Sequence, residues 1–315
     1  MSHLSHNDGD AGERKVEVYH VPVLLKEAVD GLAVKSSGIY VDCTFGGGGH
    51  SREILQRLDA QGRLIVFDQD PAVIMNLPDD SRILFIPHNF RHLSRFLKLH
   101  QIHKVDGVLA DLGVSSKQFD DAARGFSTRF EGPLDMRMDP SQHKTAAQIL
   151  SDYTQHQLHK MFEQYGEVTN AKTLAAAIVQ HRAISPFQTI AQFKQTLQHV
   201  VKGNPHKYWA QVFQALRIEV NDELSALQEL LEQLPDILKP QGRAAVISFH
   251  SLEDRMVKNF FKKGTLHAEE DHPFSRETRP DIFRLITKKP VEPTPSEILS
   301  NPRSRSARLR IAEKI

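Results

Sequence analysis

The chain has 315 residues, of which 40% are hydrophobic and 25% are charged, a composition typical of a soluble globular protein. No apolar run approaches the ~20 residues that a membrane-spanning helix needs. Its beginning carries no apolar signal segment, and its single cysteine, Cys43, can form no internal disulfide. We therefore expect a cytoplasmic protein with one large core, an inserted or appended unit, and a disordered tail over residues 1–15.

The formal net charge of +1 argues against a protein that coats nucleic acid non-specifically, but the charge is unevenly distributed. Residues 240–315 hold 15 Lys and Arg against 10 Asp and Glu, or +5, so the rest of the chain carries −4. A basic face at this end would contact phosphates. Scattered, solvated side chains are an equally open alternative.

Strand-like apolar runs alternate with helix-like segments through the first third of the chain. The strands are predicted at 39–43, 63–67, 82–87 and 105–110, and the helices at 20–33, 51–58 and 93–103. Such alternation indicates a parallel sheet with right-handed crossovers. Three later runs, at 244–249, 282–287 and 307–312, would complete a doubly wound sheet of seven strands, one of them antiparallel.

The alternation stops after the fourth strand. Residues 115–140 are rich in Gly, Pro, Asp, Arg and Met and predict a long irregular loop, of the kind that is usually functional. Helices predicted at 145–165, 170–183 and 189–201 follow with no strand between them, which indicates an all-helical insertion. A single long helix is then predicted from Tyr208 to Leu234, and we expect its apolar stripe to pack against the sheet.

Four consecutive glycines, Gly46 to Gly49, lie between the first strand and a helix. Such a turn exposes unpaired backbone N–H groups to a ligand. No lysine is near enough for a phosphate-binding P-loop, and the dinucleotide fingerprint fails at Ser51. Asp42 and Asp68 end the first two strands, which is the layout of the S-adenosylmethionine site in doubly wound methyltransferases. Asp68 would accept hydrogen bonds from the ribose hydroxyls.

Two further strand ends contribute to the candidate site, because ligands of open parallel sheets lie at the carboxyl ends of the strands. Phe90 would pack against the adenine ring. Asp111 would lie where the methionine end of the cofactor, its methyl group and the incoming nucleophile meet. Alternatively, Phe90 belongs to the core and Asp111 caps a turn.

Other catalytic classes fit poorly. The pairs His100/His103 and His156/His159 have helical spacing, but they lack the cysteine or carboxylate partners of a metal site, so no metal is expected. The segment Ser248–Ser251 lacks the Gly-x-Ser-x-Gly elbow of a hydrolase.

Several segments together resemble one family, the bacterial 16S ribosomal RNA cytosine-N4 methyltransferases. They span residues 20 to 310, so that the resemblance covers nearly the whole chain. The strings Pro133-Leu-Asp-Met-Arg-Met-Asp139 and Ala215-Leu-Arg-Ile-Glu-Val-Asn221 are the most specific. The other matching segments are 20–25, 42–51, 68–71, 111–116, 125–127, 248–255 and 301–310.

The resemblance implies a Rossmann-like class I methyltransferase fold, with S-adenosylmethionine as donor and a cytidine of the small-subunit decoding region as acceptor. It implies a methyltransferase domain of residues 16–124 and 211–315 and a helical insertion, 125–210, that helps to hold the substrate. The oligomeric state stays open, a homodimer being one alternative. The implied cofactor contacts are Gly48, Gly49, His50, Asp68, Phe90, Asp111 and Gln118.

Many amino-methyltransferases carry Asp/Asn-Pro-Pro-aromatic after the fourth strand, whereas this chain has Asp111-Leu-Gly-Val114. The geometry that holds the base must therefore differ. Asp111 is the candidate acceptor for the cytosine amine, and Asp135, Arg137 and His250 are further candidate substrate contacts. Arg124, Arg129, Arg137 and Lys144 are candidates for phosphate contacts at the mouth of the site.

Two other classes of function remain open. One is an amino-methyltransferase that acts on DNA or on another RNA. The other is a non-catalytic RNA-binding or ribosome-assembly factor that keeps the fold, against which the intact glycine turn and Asp68 argue.

Overall fold

The computed structural model describes residues 22–266 and 281–315. Its centre is one seven-stranded sheet with the order β3-β2-β1-β4-β5-β7-β6. The strands are β1 (Ile39–Asp42), β2 (Arg63–Phe67), β3 (Ile83–Ile86), β4 (Val105–Asp111), β5 (Leu238–Ser248), β6 (Phe283–Leu285) and β7 (Arg308–Lys314). The predicted seven-stranded sheet is thus confirmed.

The first five strands are parallel, and β7 pairs antiparallel with both β5 and β6. The chain order reverses between β1 and β4, where ligands bind in doubly wound sheets. Because Asp42 pairs with Leu109 and Asp111 pairs with Ile247, the carboxyl ends of β1, β4 and β5 lie at one edge.

Helices cover both faces of the sheet. Apolar side chains of α1 and α2 pack on one face, and those of α3, α10 and α11 pack on the other. The helices are α1 (Leu25–Gly31), α2 (Gly49–Arg57), α3 (Leu93–Leu99), α4 (Ser116–Asp120), α5 (Ala146–Asp152), α6 (Gln155–Gly166), α7 (Ala171–Arg182), α8 (Ile190–Thr196), α9 (Pro205–Asn221), α10 (Glu223–Ile237), α11 (Ser251–Lys263) and α12 (Pro295–Ser300).

A second hydrophobic core is formed by α5 to α9 and the loop before them. Its buried members run from Phe126 to Val220 and include Phe162, Phe193 and Trp209. This core therefore extends about ten residues beyond the boundary expected at 210, because α9 as a whole packs within it.

The single long helix expected over 208–234 is wrong. Asp222 adopts a left-handed conformation, with φ 51° and ψ 42°, and separates α9 from α10. Asp and Asn adopt this conformation more readily than most residues. The apolar stripe is divided accordingly: Trp209 and Phe213 lie in the helical core, whereas Leu227 and Leu231 pack on the sheet.

Two smaller expectations also need correction. The segment 115–140 is not wholly irregular, because it contains α4 and a 3₁₀ turn at Ala122–Arg124. The helix expected over 145–165 is two helices, since Thr154 caps α6 through its side chain after α5 has ended.

Within the described ranges, no helix is long and apolar enough to cross a membrane. Cys43 is buried. The tail expected over residues 1–15 lies outside the described residues.

Candidate active site

The glycine turn is held by Asp42 at the end of β1. The Asp42 side chain is buried and accepts hydrogen bonds from the Thr44 amide (3.0 Å) and the Ser51 hydroxyl (2.7 Å). Burial raises the pKa of Asp42, and these bonds partly offset that rise. The carboxylate therefore ties the strand to the first turn of α2, with the glycines between them.

Three of the glycines are constrained by the geometry. Gly46 and Gly48 have φ of +50° and +74°, a left-handed conformation that side chains disfavour. A Cβ atom on Gly49 would lie 1.9 Å from Cγ of Pro22, so no larger residue fits without displacement. Gly47, in contrast, has nothing within 4 Å of the position of a Cβ atom. The turn thus has one open side, and its binding of a ligand stays a prediction.

His50 follows the turn as a buried residue in the first turn of α2. Its Nε2 lies 3.1 Å from the carbonyl oxygen of Val23, and its Nδ1 lies 3.8 Å from Oδ2 of Asp111. The ring therefore bridges the segment before α1 and the end of β4. Two of the predicted cofactor contacts, His50 and Asp111, are brought together.

Asp68, at the end of β2, is half-buried beside the glycine turn. It accepts hydrogen bonds from the amides of Gly46 and Asp70, both at 2.8 Å. Burial raises its pKa to about 6, and these two amide bonds oppose the rise. A carboxylate oxygen has two lone pairs, so each oxygen can still accept a bond from a hydroxyl.

Phe90 begins a 3₁₀ turn after β3 and is half-buried against the sheet core. The neighbouring Asn89 donates a hydrogen bond to Oε1 of Gln69 (2.9 Å), which joins the ends of β3 and β2. A cavity of about 350 Å³ is lined by Gln69 and Asn89 and reaches Asp139 and Asn221. Phe90 packs on the sheet core, and its stacking on an adenine ring stays a prediction.

Asp111 is the last residue of β4. Its amide donates a hydrogen bond to Oγ1 of Thr44 (2.7 Å), whereas its own Oδ1 is buried without a hydrogen-bond partner in the described chain. Burial raises the pKa of Asp111 to about 6, although the neighbouring His50 lowers it. A buried acceptor without a partner is costly, and a ligand with a donor group would relieve that cost.

Gln118 is buried and reaches the site through Asp70. Its Nε2 donates to Oδ2 of Asp70 at 2.7 Å, and Arg124 donates to the same oxygen at 2.9 Å. Arg124 also donates to the carbonyl groups of Arg137 and Met138 at 3.0 and 2.8 Å. This network joins α4 to the loop after it, and the sequence did not predict it.

The predicted substrate contacts Asp135 and Arg137 are bonded to each other. Two guanidinium nitrogens of Arg137 donate to the two oxygens of Asp135, at 2.8 and 2.7 Å, and a third donates to the carbonyl groups of Pro140 and Gln142. Although burial opposes ionisation, these bonds lower the pKa of Asp135. The pair therefore shapes the loop, and its contact with substrate stays a prediction.

The other cationic candidates for phosphate contact differ in their surroundings. Lys144 is half-buried, 3.4 Å from Glu219, and Arg124 is held by Asp70 as described. Arg129 is exposed. The structure therefore leaves Arg129 the most accessible of the four for an incoming phosphate.

His250 lies at the end of β5 and caps α11. Its Nδ1 accepts from the Glu253 amide at 3.4 Å, and its Nε2 lies 3.2 Å from Oε1 of Glu253. Glu253 in turn accepts from the Phe249 amide at 2.8 Å. Burial disfavours the Glu253 carboxylate, but His250 and Arg217 lower its pKa below the ordinary value. Glu253 therefore holds His250 in place.

Glu223, His250 and Glu253 offer potential ligand atoms that lie within 4.8 Å of one another. Arg217, however, donates to both oxygens of Glu223, at 2.8 and 2.9 Å. The guanidinium supplies the positive charge that a cation would otherwise bring. The expectation of a metal-free site stays a prediction.

A family model described as the MraW methylase family matches residues 17–315. The chain belongs to the MraW methylase family. Together with the sheet order, this membership identifies a Rossmann-like class I methyltransferase fold, as the resemblance implied.

Curated relatives of the chain are similar to it over nearly their whole length. A ribosomal RNA small subunit methyltransferase H of Parabacteroides distasonis is 49% identical over 305 residues, which cover 96% of this chain and 100% of the relative. One of Cytophaga hutchinsonii is 50% identical over 300 residues, which cover 94% and 100%. A crystal structure of an rRNA methylase from Streptococcus thermophilus is a distant likeness, with 11% identity and a TM-score of 0.40 over 94% of this chain and 99% of that one.

Sequence reasoning missed several residues that support the site. Thr44, Asp70 and Glu253 all lie inside segments that carried the resemblance. The partners of Thr44 and Asp70 are far away in sequence, whereas Glu253 accepts a hydrogen bond from the nearby Phe249 amide. Only one local signal was available. The spacing of His250 and Glu253 is that of a capping box, which indicates a helix start.

Proposed function

We propose that the chain transfers a methyl group from S-adenosylmethionine to the N4 amine of a cytidine in the decoding region of 16S rRNA. The observation that supports this most directly is the near-full-length identity of 49–50% to curated small-subunit rRNA methyltransferases H. The strand-end carboxylates Asp68 and Asp111 and the open glycine turn fit such a cofactor.

Each part of the cofactor has a matching group in the chain. When bound, S-adenosylmethionine would supply a methyl group activated by its sulfonium centre. Asp68 has free lone pairs for the ribose hydroxyls, and Phe90 offers a ring face beside the Gln69–Asn89 pair. Gly48, Gly49 and His50 are proposed to contact the cofactor from the glycine turn. Gln118, which donates a hydrogen bond to Asp70, is proposed to contact it from α4.

Asp111 is the proposed acceptor for the cytosine amine. The lone pair of that amine is delocalised into the ring, so the amine is a weak nucleophile that must be positioned in line with the methyl group. The buried Oδ1 of Asp111 has no protein partner in the described residues and can accept an N–H from the amine. The Asp111 carboxylate would thereby orient the amine and accept its proton as transfer proceeds.

The base must leave its stack to reach Asp111, which suits a loop or splayed segment of RNA. His250, held by Glu253 at the neighbouring strand end, is proposed to contact the base from the side of β5. Asp135 and Arg137 shape the loop, and the exposed Arg129 is proposed to contact the RNA backbone. The helical core of α5 to α9 is proposed to carry this loop as a substrate-recognition unit.

A strain that lacks the protein provides the test of substrate. Mass spectrometry of its 16S rRNA should show loss of the N4-methylcytidine, and re-expression of the chain should restore it. Persistence of the modification would refute the assignment. Higher transfer to free DNA oligonucleotides than to small ribosomal subunits would favour the DNA-methylating alternative.

Asp111→Ala separates the two roles of the residue. If Asp111 orients the amine, methyl transfer falls by about a hundredfold or more, whereas the dissociation constant of the cofactor changes far less. Loss of cofactor binding alone would make Asp111 a cofactor ligand only. Subunit binding without turnover by the wild-type chain would favour the non-catalytic assembly factor.

A further inference from the structure

A groove lies on the outer side of the sheet, between α11 and the edge strand β6. It has a volume of about 260 Å³, and its lining includes the buried Phe261, the partly exposed Leu285 and the exposed Lys258, Lys262 and Lys288. Neither the candidate active site nor its network of carboxylates includes any of these residues. The groove belongs to the basic carboxyl-terminal end of the chain.

The cations around this groove fall into two groups. The arginines are bonded within the protein: Arg310 is buried and donates to both oxygens of Asp254, and Arg284 pairs with Glu313. The three lysines are exposed and form no ion pair with any residue in the described ranges. Around the groove, the two arginines are therefore paired, whereas the three exposed lysines have no ion-pair partner among the described residues.

This arrangement carries a local cost, although the last turn of α11, where Lys262 lies, favours a cation. Lys258 and Lys262 lie four residues apart on one face of α11, where like charges repel. Leu285 and the neighbouring Ile286 add exposed apolar surface, since they are 38% and 37% exposed. A polyanion with flat apolar groups would relieve both costs at once.

We infer that this groove binds a single-stranded segment of the RNA substrate, with the lysines on its phosphates and Leu285 against a base. A positively charged groove that follows the phosphate backbone binds single strands without regard to sequence. This inference rests on the proposed function, because it assumes an RNA substrate.

The location of the groove links it to the candidate active site. Helix α11 begins next to His250, and Lys258 lies seven residues after Ser251, about 10 Å along the helix axis. Lys262 lies one turn farther along the same helix. One RNA strand can therefore reach both the catalytic end of β5 and the groove, which would serve as an anchor for nucleotides that flank the target.

The test compares two double variants of the full-length protein. Lys258→Glu/Lys262→Glu reverses the charge of the groove. The control, Arg63→Glu/Lys98→Glu, makes the same change in net charge at two exposed positions, the start of β2 and the last turn of α3. RNA affinity is measured with a fluorescent single-stranded oligonucleotide that carries the target cytidine and its flanks, over a range of salt concentrations. Methyl transfer is measured on small ribosomal subunits.

The groove variant should bind the oligonucleotide at least about tenfold more weakly than the wild type. The slope of log affinity against log salt should decrease in magnitude by about 1.4, the contribution of two phosphate contacts. Its KM for subunits should rise while kcat and the cofactor dissociation constant stay within about twofold. The control variant should match the wild type. Lys288→Glu alone should give a smaller loss in the same direction.

Equal RNA affinity and salt slope in the groove variant and the wild type would overturn the inference. So would lysine-dependent binding to phosphatidylserine vesicles without any lysine-dependent binding to RNA. Failure of the proposed function looks different, because the wild type would then transfer no methyl group to the subunits. In that case the RNA-binding comparison still decides for or against the groove.

Discussion

The imidazole of His50 faces the carboxylate of Asp111, with Nδ1 and Oδ2 separated by 3.8 Å. The other ring nitrogen, Nε2, lies 3.1 Å from the Val23 carbonyl oxygen, which can only accept, so Nε2 carries a proton. Nδ1 then carries no proton and lies beside the Asp111 carboxylate, whose pKa burial raises to about 6. The end of β4 is thus sensitive to protonation in the absence of ligand.

Cofactor binding should weaken in acid. Burial raises the pKa of both Asp68 and Asp111 to about 6, so both are ionised above that pH and increasingly neutral below it. Neutral carboxyl groups accept hydrogen bonds less well and attract a sulfonium cation less. We expect the affinity for S-adenosylmethionine, measured by calorimetry, to fall by about tenfold or more between pH 7.5 and pH 5. A dissociation constant that is flat across this range would contradict the assigned site.

Asp111→Asn should stabilise the cofactor-free protein near neutral pH. The folded-state pKa of about 6 exceeds the unfolded value of about 3.9, so the folded state binds more protons between these values. Stability is therefore lost as pH rises through this window. The variant should gain about 1–2 kcal/mol at pH 7.5, a value discounted because the side chain is 23% exposed, and little at pH 4. Urea unfolding at both pH values measures the difference, and Asp79→Asn, at an exposed position, should change it little.

Gly49→Ala and Gly47→Ala should differ in their effect on stability, although both lie in the same turn. The new methyl group at Gly49 would lie 1.9 Å from Pro22, whereas at Gly47 it would meet nothing within 4 Å. We expect a loss of about 1–3 kcal/mol for Gly49→Ala and little change for Gly47→Ala. Thermal unfolding without cofactor measures both, and equal melting temperatures would mean that the turn is free to shift.

Arg124→Ala should be much more destabilising than Arg303→Ala. Removal of Arg124 leaves the buried Asp70 carboxylate with less compensation and frees the carbonyl groups of Arg137 and Met138. The expected cost is about 3 kcal/mol. Arg303 pairs with the exposed Asp120, and its loss should cost less than about 1 kcal/mol. Denaturant midpoints provide the comparison, and similar losses for the two variants would show that the Asp70 network contributes little.

Asn221→Ala should loosen the loop at the mouth of the site. The buried Asn221 side chain accepts from the Met138 amide at 2.7 Å and donates to the Met136 carbonyl at 2.8 Å. Alanine leaves both backbone groups unpaired, at a cost of about 2–4 kcal/mol. Hydrogen exchange should show faster exchange of the Met138 amide, and Asn259→Ala on the exposed face of α11 serves as the control. Unchanged exchange at Met138 would refute this role.

Elements with a strong local pattern were predictable from the sequence. Strand β2 has the predicted bounds. A short apolar run between polar residues is typical of a strand that is buried on both faces. Asp68 and Asp111 could be grouped in advance, since the carboxyl ends of parallel strands meet at one edge whatever the details of packing.

Features that depend on a distant partner were not predictable. The stripe from Trp209 to Leu234 has one continuous period, but periodicity records only that a face is buried and not which core covers it. The break at Asp222 was missed for that reason. Asp70 and Arg124 are 54 residues apart, and Asn221 and Met138 are 83 apart, so neither bond leaves a local pattern.

The glycine turn and the strand-end carboxylates are therefore properties of the sequence itself, because backbone geometry and strand direction follow from local residue types. The tertiary structure decided how these groups are held. It pairs Asp135 with Arg137, leaves Oδ1 of Asp111 without a partner in the described chain, and separates the neutralised arginines from the exposed lysines of the groove. Those outcomes depend on which side chains meet in space. The sequence lists the charged residues but does not determine which of them pair.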